Sequence, residues 1–202
     1  GLSEKTRELG LRAEGPSDFH IHGVAVAPSD PNVIYVGSVH DTVYPDLTFN
    51  LNGTHIWKSS DQGKTFPEMS NGFPIQKKTS INAIVVHPTN PDIAYVMTTL
   101  HETETAIGIY KTTNGAQLWM PVNEGLDPFT NDLQMDSVNP DILYAASESG
   151  IYKTLNGAEN WVKSSNGIPE GPVIDMAIDP INPLVLYAIT PDNLYRTQDG
   201  AD

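Results

Sequence analysis

A unit of short strand-like segments with two characteristic turns occurs four times in this chain of 202 residues. Its first turn is framed by prolines and leads into a β-branched segment with a tyrosine, as at Pro28, Pro31 and Tyr35. The later copies repeat the second proline and the tyrosine as Pro91 and Tyr95, Pro140 and Tyr144, and Pro183 and Tyr187. Proline cannot donate a hydrogen bond within a central strand, so these sites mark corners between strands. Repetition on this scale means that the fold is built from copies of one unit.

The second turn of the unit follows an apolar-aromatic segment and combines Ser or Thr, Asp or Asn, and Gly before an aromatic residue. We call its four copies, residues 59–66, 112–119, 154–161 and 197–202, the box turns. Their defining side chains are Ser59, Asp61, Gly63, Thr65 and Phe66, then Asn114 and Trp119, then Asn156 and Trp161, and finally Asp199. The second and third copies carry Ala116 and Ala158 where the first has glycine.

The residue types of the box turns favour a structural role. An Asp or Asn side chain in such a turn accepts hydrogen bonds from downstream backbone amides. Glycine tolerates a positive φ, and the closing aromatic ring is expected to be buried between adjacent sheets. A calcium loop needs about six oxygen ligands, more than this turn supplies. We therefore expect the box turns to be neither catalytic nor metal-binding.

The spacing of the repeat indicates the architecture. The box turns begin 53, 42 and 43 residues apart, and the turn prolines from Pro31 to Pro183 are 60, 49 and 43 residues apart. A unit of about 40–45 residues with four short strands is the size of a propeller blade. We predict an all-β chain, a β-propeller of four-stranded antiparallel blades, with outer strands at residues 66–69, 119–122 and 161–164. The approximate blades are residues 19–73, 79–126, 130–168, and 172–202 together with 1–11.

The first box turn resembles the Asp-box (BNR) pattern Ser-x-Asp-x-Gly-x-Thr-Trp, with Phe66 at the aromatic position. With the flanking Pro-x-x-Pro-x-x-x-Tyr segments, nearly the whole chain is similar to the propellers of sortilin, xyloglucanases and photosystem II assembly factors. The resemblance implies the fold but leaves the function open, because sialidases, glucanases, sorting receptors and assembly chaperones all carry the box. Sialidases need three converging arginines, whereas this chain has only Arg7, Arg12 and Arg196, the last beside a box turn. We therefore exclude a sialidase.

Charge and composition exclude several classes of partner. The formal net charge is −14, from 11 basic and 25 acidic residues, which disfavours nucleic acid and anionic membrane surfaces. The chain has no cysteine, so neither a disulfide framework nor thiol chemistry is expected. No apolar run reaches the roughly 18 residues that a membrane span requires. We predict no cofactor and no membrane insertion.

The parts of the unit that do not repeat indicate where ligands bind. The first two copies carry insertions between their second and third strands, at residues 37–55 and 98–108, on the face opposite the box turns. Insertions on one face of a repeat protein often mark its binding face. The ligand-binding candidates in these insertions are His40, Tyr44, His55 and His101, and the weak catalytic candidates are Asp41, Asp46, Glu102 and Glu104.

Two alternatives to simple ligand binding stay open at this point. A metal site is conceivable at His20 and His22, which share a strand face if the strand is regular, but no compact zinc-type spacing is present. A glycoside hydrolase needs two carboxylates about 5–9 Å apart across a sugar, and the four acidic candidates could supply them. With 25 acidic residues, several on one face are expected by chance.

We expect a propeller that presents its inserted loops to a protein or polysaccharide in an extracellular or periplasmic setting, and we lean against an enzyme. The alternatives are a glycoside hydrolase of the xyloglucanase-like kind and a structural component of a surface assembly. Four units could close a four-bladed ring, but the resembling families use more blades and the chain does not begin with Met. We therefore expect a segment of a larger propeller, whose open edges would pair with further blades or with copies of itself.

Overall fold

The computed structural model describes residues 19–40, 55–73, 79–100 and 106–202. Fourteen strands lie within these ranges, and no helix does. They are β1 Phe19–Val26, β2 Ile34–His40, β3 Ile56–Ser59, β4 Thr79–Val86, β5 Ala94–Leu100, β6 Ala106–Thr112, β7 Met120–Pro121, β8 Thr130–Met135, β9 Leu143–Ser147, β10 Gly150–Thr154, β11 Val162–Lys163, β12 Asp175–Ile178, β13 Leu186–Ile189 and β14 Leu194–Thr197.

The strands form four consecutive antiparallel sheets, which we call blades 1 to 4: β1–β3, β4–β7, β8–β11 and β12–β14. Within each blade the strands pair in sequence order, so each blade is an up-and-down meander. Blades 1 and 2 are also joined by one backbone pair, between Val39 and Ser80. The first strands of the blades, β1, β4, β8 and β12, pack side by side in chain order. This radial arrangement confirms the predicted fold class.

Three hydrophobic clusters hold the blades together, one between each consecutive pair. The first joins Tyr35 and Ile56 of blade 1 to Ile81 of blade 2. The second includes Met97 and Ile109 of blade 2 with Leu133 of blade 3, and the third joins blades 3 and 4. A single four-stranded sheet has two faces to cover, so each blade depends on its neighbours to bury its apolar side chains.

The meander sets two distinct faces. The Pro-framed turns and the box turns lie together, as shown by the bond from the amide of Gly115 to the carbonyl oxygen of Asp92 at 2.9 Å. We call this side the turn face. The connections from second to third strand and from one blade to the next lie on the opposite side, the link face, where the side chains of Asp127 and Ser149 are hydrogen-bonded. The two faces follow from strand direction alone, because each strand reverses the one before it.

The first strands of blades 1 to 3 share an irregularity that the sequence reading did not anticipate. Their pairing shifts by one residue at His22, at Asn82 and at Asn131, which are β-bulges at equivalent positions. A bulge interrupts the alternation of side chains along a strand. The pairing of β1 is therefore irregular at His22, and the prediction of a metal site at His20 and His22 stays a prediction.

Several predicted boundaries also differ from the structure. His40 is the last residue of β2 rather than part of a loop, and the second insertion shrinks because β5 extends to Leu100 and β6 begins at Ala106. The outer strands are shorter than predicted: two residues each in β7 and β11, and a single bridge between Trp57 and Glu68 in blade 1. Pro121 lies in the outer strand β7, where a missing amide donor is tolerated.

Candidate functional site

The link face of blade 3 carries a compact group of polar and aromatic side chains. Phe129 precedes β8, and its side chain is 45% exposed although it is large and apolar. The short connection between β9 and β10 runs beside it, with the amide of Glu148 donating to the carbonyl oxygen of Phe129 at 3.0 Å. We call the group the Phe129 cluster; its members are Asp127, Phe129, Asn131, Glu148, Ser149 and Tyr152.

Hydrogen bonds fix the polar side chains around the ring. Asp127 accepts from the amide of Phe129 at 2.8 Å and from the hydroxyl of Ser149. The Ser149 hydroxyl also lies 3.2 Å from that of Tyr152. Asn131 donates to Glu148 at 3.2 Å and to the carbonyl oxygen of Val173 in blade 4 at 2.9 Å. Held in this way, the oxygens and the half-exposed ring form a preorganised polar-aromatic surface of the kind that orients a ligand.

A second feature is a pair of carboxylates on the first strands of blades 3 and 4. Asp132 and Asp175 both accept from the amide of Met176, at 3.1 and 2.8 Å, so the two groups lie side by side. Asp132 is half-buried between the blades and also accepts from Gln134 at 2.9 Å. Burial raises the pKa of Asp132, and the charge of Asp175 acts in the same direction, although hydrogen bonds partly oppose them. The two carboxylates therefore differ in exposure.

The candidates in the inserted loops are mostly beyond the described residues. Asp41, Tyr44, Asp46, His101, Glu102 and Glu104 all lie outside them. The side chains of His20, His22 and His40 are also not among those described, although their backbones belong to β1 and β2. The sequence interpretation of these residues as ligands or catalysts therefore stays a prediction.

His55 is the one loop candidate whose side chain is described. Its Nδ1 lies 2.7 Å from a carboxylate oxygen of Glu68, and its ring stacks on Trp57 with centroids 5.8 Å apart. The hydroxyl of Ser70 donates to the same Glu68 oxygen at 2.9 Å. These contacts tie the end of the inserted loop to the outer segment of blade 1. Among the residues that the structure describes, no three His, Asp or Glu side chains are grouped to hold a metal ion.

The box turns share one hydrogen-bond pattern. In the first, the hydroxyl of Ser59 accepts from the amide of Gly63 at 2.8 Å and donates to Asp61 at 2.8 Å. Asp61 accepts from both the amide and the hydroxyl of Thr65, at 2.9 and 2.7 Å. The second and third turns repeat the bond from hydroxyl to Asn114 and Asn156, at 3.0 and 2.8 Å. Every side chain of the pattern is directed to its own turn.

The closing aromatic residues pack on the preceding blade. Trp119 is buried, and its indole nitrogen donates to the carbonyl oxygen of Met69 at 2.9 Å. A groove of about 570 Å³ beside Val162, Ser164 and Asp202 lies at the equivalent position on blade 3. On blades 1 and 2 this position is covered by the closing aromatic residue of the following blade, so we assign the groove no ligand.

Sequence reasoning missed the Phe129 cluster because it followed the insertions, and blade 3 has none. The available signal was an aromatic residue directly after Asp127 and Pro128, between two predicted strands, where a link would normally be polar. The paired carboxylates were missed because Asp132 follows the unanticipated bulge at Asn131.

Solved structures of several propellers are similar to this chain. An ancestral GH74 enzyme superposes with a TM-score of 0.62 at 24% identity, over 84% of this chain and 22% of that one. The fold is a β-propeller. The GH74 xyloglucanase of Xanthomonas campestris matches at 0.54 and 13% identity, over 90% of this chain and 37% of the enzyme. YCF48 bound to D1 peptide matches at 0.53 and 13% identity, over 90% and 56%. At these identities the likeness shows the fold alone.

Sequence comparison adds one curated relative. The chain is 26% identical over 90 residues to the dispase autolysis-inducing protein of Streptomyces mobaraensis, across 45% of this chain and 24% of that protein. The chain thus spans about a quarter of the length of the curated relative that it matches. No family model matches it. No helix among the described residues is long and apolar enough to cross a membrane.

Proposed function

We propose that this propeller is a non-catalytic binding module that engages a glycan or protein through the link face, with the Phe129 cluster as part of the binding surface. The observation that carries the proposal is the half-exposed ring of Phe129 among fixed hydroxyl and carboxylate oxygens. An apolar ring can cover the face of a sugar while nearby oxygens accept from its hydroxyls. The same side of the molecule carries the inserted connections of blades 1 and 2.

The relatives support a binding role without identifying the ligand. GH74 xyloglucanases and a propeller bound to a D1 peptide share the fold, so both a glycan and a peptide are reasonable ligand classes. We favour a glycan because the cluster combines one aromatic ring with several oxygen acceptors. We also propose the Asp-box repeat as the repeat type and an extracellular or periplasmic location. The remaining alternative is an architectural role in a surface assembly, for which the Phe129 cluster would not be needed.

A glycoside hydrolase is the second candidate, and the paired carboxylates favour it. Asp132, with its raised pKa, would act as the general acid, and the more exposed Asp175 would act as the base or nucleophile. Against this, the amide of Met176 and the side chain of Gln134 already occupy Asp132 Oδ2 between two blades. A reducing-end assay on xyloglucan separates the candidates: turnover that is lost in Asp132→Asn would favour the enzyme.

The binding proposal is tested by titrating the full chain with xyloglucan oligosaccharides in a calorimeter. The change Phe129→Ala should weaken binding about tenfold or more, equivalent to about 1.4 kcal/mol. Ser149→Ala, which removes a bond to Asp127, should weaken it less. Val138→Ala is the matched control, because Val138 is an equally apolar, 70% exposed residue on the turn face. Equal affinities for Phe129→Ala and Val138→Ala would contradict the proposal, and binding of peptides but not glycans would reassign the ligand.

A further inference from the structure

One polar contact recurs at all three blade interfaces on the turn face. In each blade a tyrosine of the second strand and a lysine of the third strand reach the turns of the next blade. The lysine ammonium lies 5.3–5.6 Å from the centre of the tyrosine ring, which is cation–π geometry. We call this pair the clasp; its copies are Tyr35 with Lys58, Tyr95 with Lys111, and Tyr144 with Lys153.

The clasp donates hydrogen bonds to backbone oxygens of the next blade. Tyr95 and Lys111 bind the same carbonyl oxygen, that of Gly157, at 3.1 and 2.8 Å. Lys153 binds the carbonyl oxygen of Gly200 at 3.0 Å. Burial raises the pKa of the clasp tyrosines, to about 12 for Tyr144, so their hydroxyls stay protonated even at mildly alkaline pH.

In blade 1, the clasp divides its bonds between two acceptors. Lys58 donates to the carbonyl oxygen of Gly115 at 3.3 Å, whereas Tyr35 donates to that of Pro91 at 2.7 Å. Both acceptors belong to turns of blade 2. Every clasp therefore bridges one blade to the turn face of the next.

The acceptor turn has a defined chemistry. Its fourth residue is Gly115, Gly157 or Gly200, each with φ between 66 and 73°. A Cβ on Gly115 would lie 2.6 Å from the Lys58 ammonium, so glycine leaves the space that the clasp fills. A carboxylate accompanies each glycine: Asp92 and Asp202 pair with Lys58 and Lys153 at 3.0 and 2.5 Å, and Asp141 lies beside Gly157.

Blade 4 carries a fourth clasp with no acceptor turn packed on it in the part of the chain that the structure describes. The Arg196 guanidinium lies 5.9 Å from the centre of the Tyr187 ring, repeating the cation–π arrangement. Tyr187 is 39% exposed, whereas the other three clasp tyrosines are at most 1% exposed. Ile189 and Leu194 on the same blade are also exposed, at 43% and 66%. Arginine adds a planar fork of donors that suits a carbonyl and a carboxylate together.

We propose that the edge of blade 4 binds a further blade whose box turn has glycine at its fourth position. The three internal interfaces are the template for this partner. Blade 1 of a second copy does not meet the requirement, because it has Gln62 at the fourth position of its box turn. The Gln62 side chain, bonded to Asn32 at 2.8 Å, lies in the region that a clasp would enter. The proposal is independent of any ligand on the link face.

The test converts blade 1 into an acceptor within the full chain. Gln62→Gly removes the obstructing side chain and supplies the required glycine, so copies should now associate from blade 4 to blade 1. Sedimentation velocity over a concentration series should show an association constant about tenfold or more above that of the wild type. Lys64→Gly is the matched control, because Lys64 is exposed in the same turn and makes no clasp contact.

A second change identifies the surface that is used. Arg196→Ala in the Gln62→Gly background should return association to the wild-type level, while thermal unfolding shows that the double variant is folded. The proposal is overturned if Gln62→Gly associates no more than Lys64→Gly. It is equally overturned if association persists after Arg196→Ala, since another surface would then be responsible.

Discussion

The indole nitrogen of Trp161 donates to the carbonyl oxygen of Val122 at 2.9 Å, which fixes the box turn of blade 3 to the outer segment of blade 2. The amide of the same residue donates to the carbonyl oxygen of Glu124 at 2.8 Å, and the ring is buried at the interface of the two blades. A residue that closes one blade thus also holds the preceding one. Consecutive blades should therefore unfold together rather than one at a time.

Trp161→Ala should lower the free energy of unfolding by about 3–5 kcal/mol, because it leaves a large cavity between blades 2 and 3. Trp161→Phe should cost less, since it keeps most of the apolar volume and loses the hydrogen bond to Val122. Urea unfolding followed by circular dichroism measures both. Leu155→Ala, at a 67% exposed position of the same turn, is the control and should cost little. Equal losses for Trp161→Ala and Leu155→Ala would contradict the packing.

Gly115→Ala should be more destabilising than Gly167→Ala. Both glycines have a positive φ, 69 and 79°, so both substitutions introduce about 1–2 kcal/mol of backbone strain. Only at Gly115 would the new Cβ also meet Lys58 and Asp92, since nothing lies within 4 Å of the Cβ position at Gly167. The difference between their urea midpoints isolates the cost of displacing the clasp. Identical midpoints would show that the clasp has room to shift.

Asp61→Asn should make the protein less sensitive to acid. Hydrogen bonds from Thr65, and then from Ser59, lower the pKa of Asp61 from 3.8 to about 2. A carboxylate with a lowered folded-state pKa stabilises the fold above the unfolded pKa, and this contribution is lost as the pH falls through about 2. The thermal midpoint of the variant should therefore be lower at pH 7 and converge with the wild type below about pH 2. A constant difference at both pH values would contradict this.

Asp132→Asn should have the opposite pH dependence. The pKa of Asp132 is raised by burial, so ionisation opposes folding; this cost is absent below the unfolded pKa and appears as the pH rises through the folded pKa. The variant should be more stable than the wild type at pH 7 and similar to it at pH 3. Asp175→Asn, at an exposed position, is the control. A variant that is less stable at pH 7 would show that the bonds to Met176 and Gln134 outweigh desolvation.

The repeat was sufficient to predict the fold, because a unit of about 43 residues with four short strands has the size of a propeller blade. The repeat did not show that glycine occupies different positions in the box turns, the fifth in the first copy and the fourth in the later copies. The fourth and fifth residues of every turn have a positive φ, so the glycine at position 63 and the glycine at position 115 are not equivalent. Ala116 keeps a φ of 70° because the turn itself requires a positive φ at its fifth position.

The site was harder to predict than the fold. The lysine that follows the aromatic residue of the third strand was visible in the sequence, but its role depends on the next blade, 57 residues away for Lys58 and Gly115. The Phe129 cluster likewise joins two segments that are distant in sequence, the link before β8 and the connection between β9 and β10. Their hydrogen-bonded residues Asp127 and Ser149 are 22 positions apart. Local patterns do not encode such contacts. They become apparent only when the direction of each strand is known.

The binding role of the link face is tested most directly by hydrogen exchange of the full chain with and without xyloglucan oligosaccharides, read by mass spectrometry. We expect slower exchange at residues 127–131 and 147–152, which carry the Phe129 cluster, and no change at the box turns. The sugar chains should be recovered intact after the incubation. Protection confined to the box turns, or no protection at a saturating ligand concentration, would contradict a glycan-binding link face.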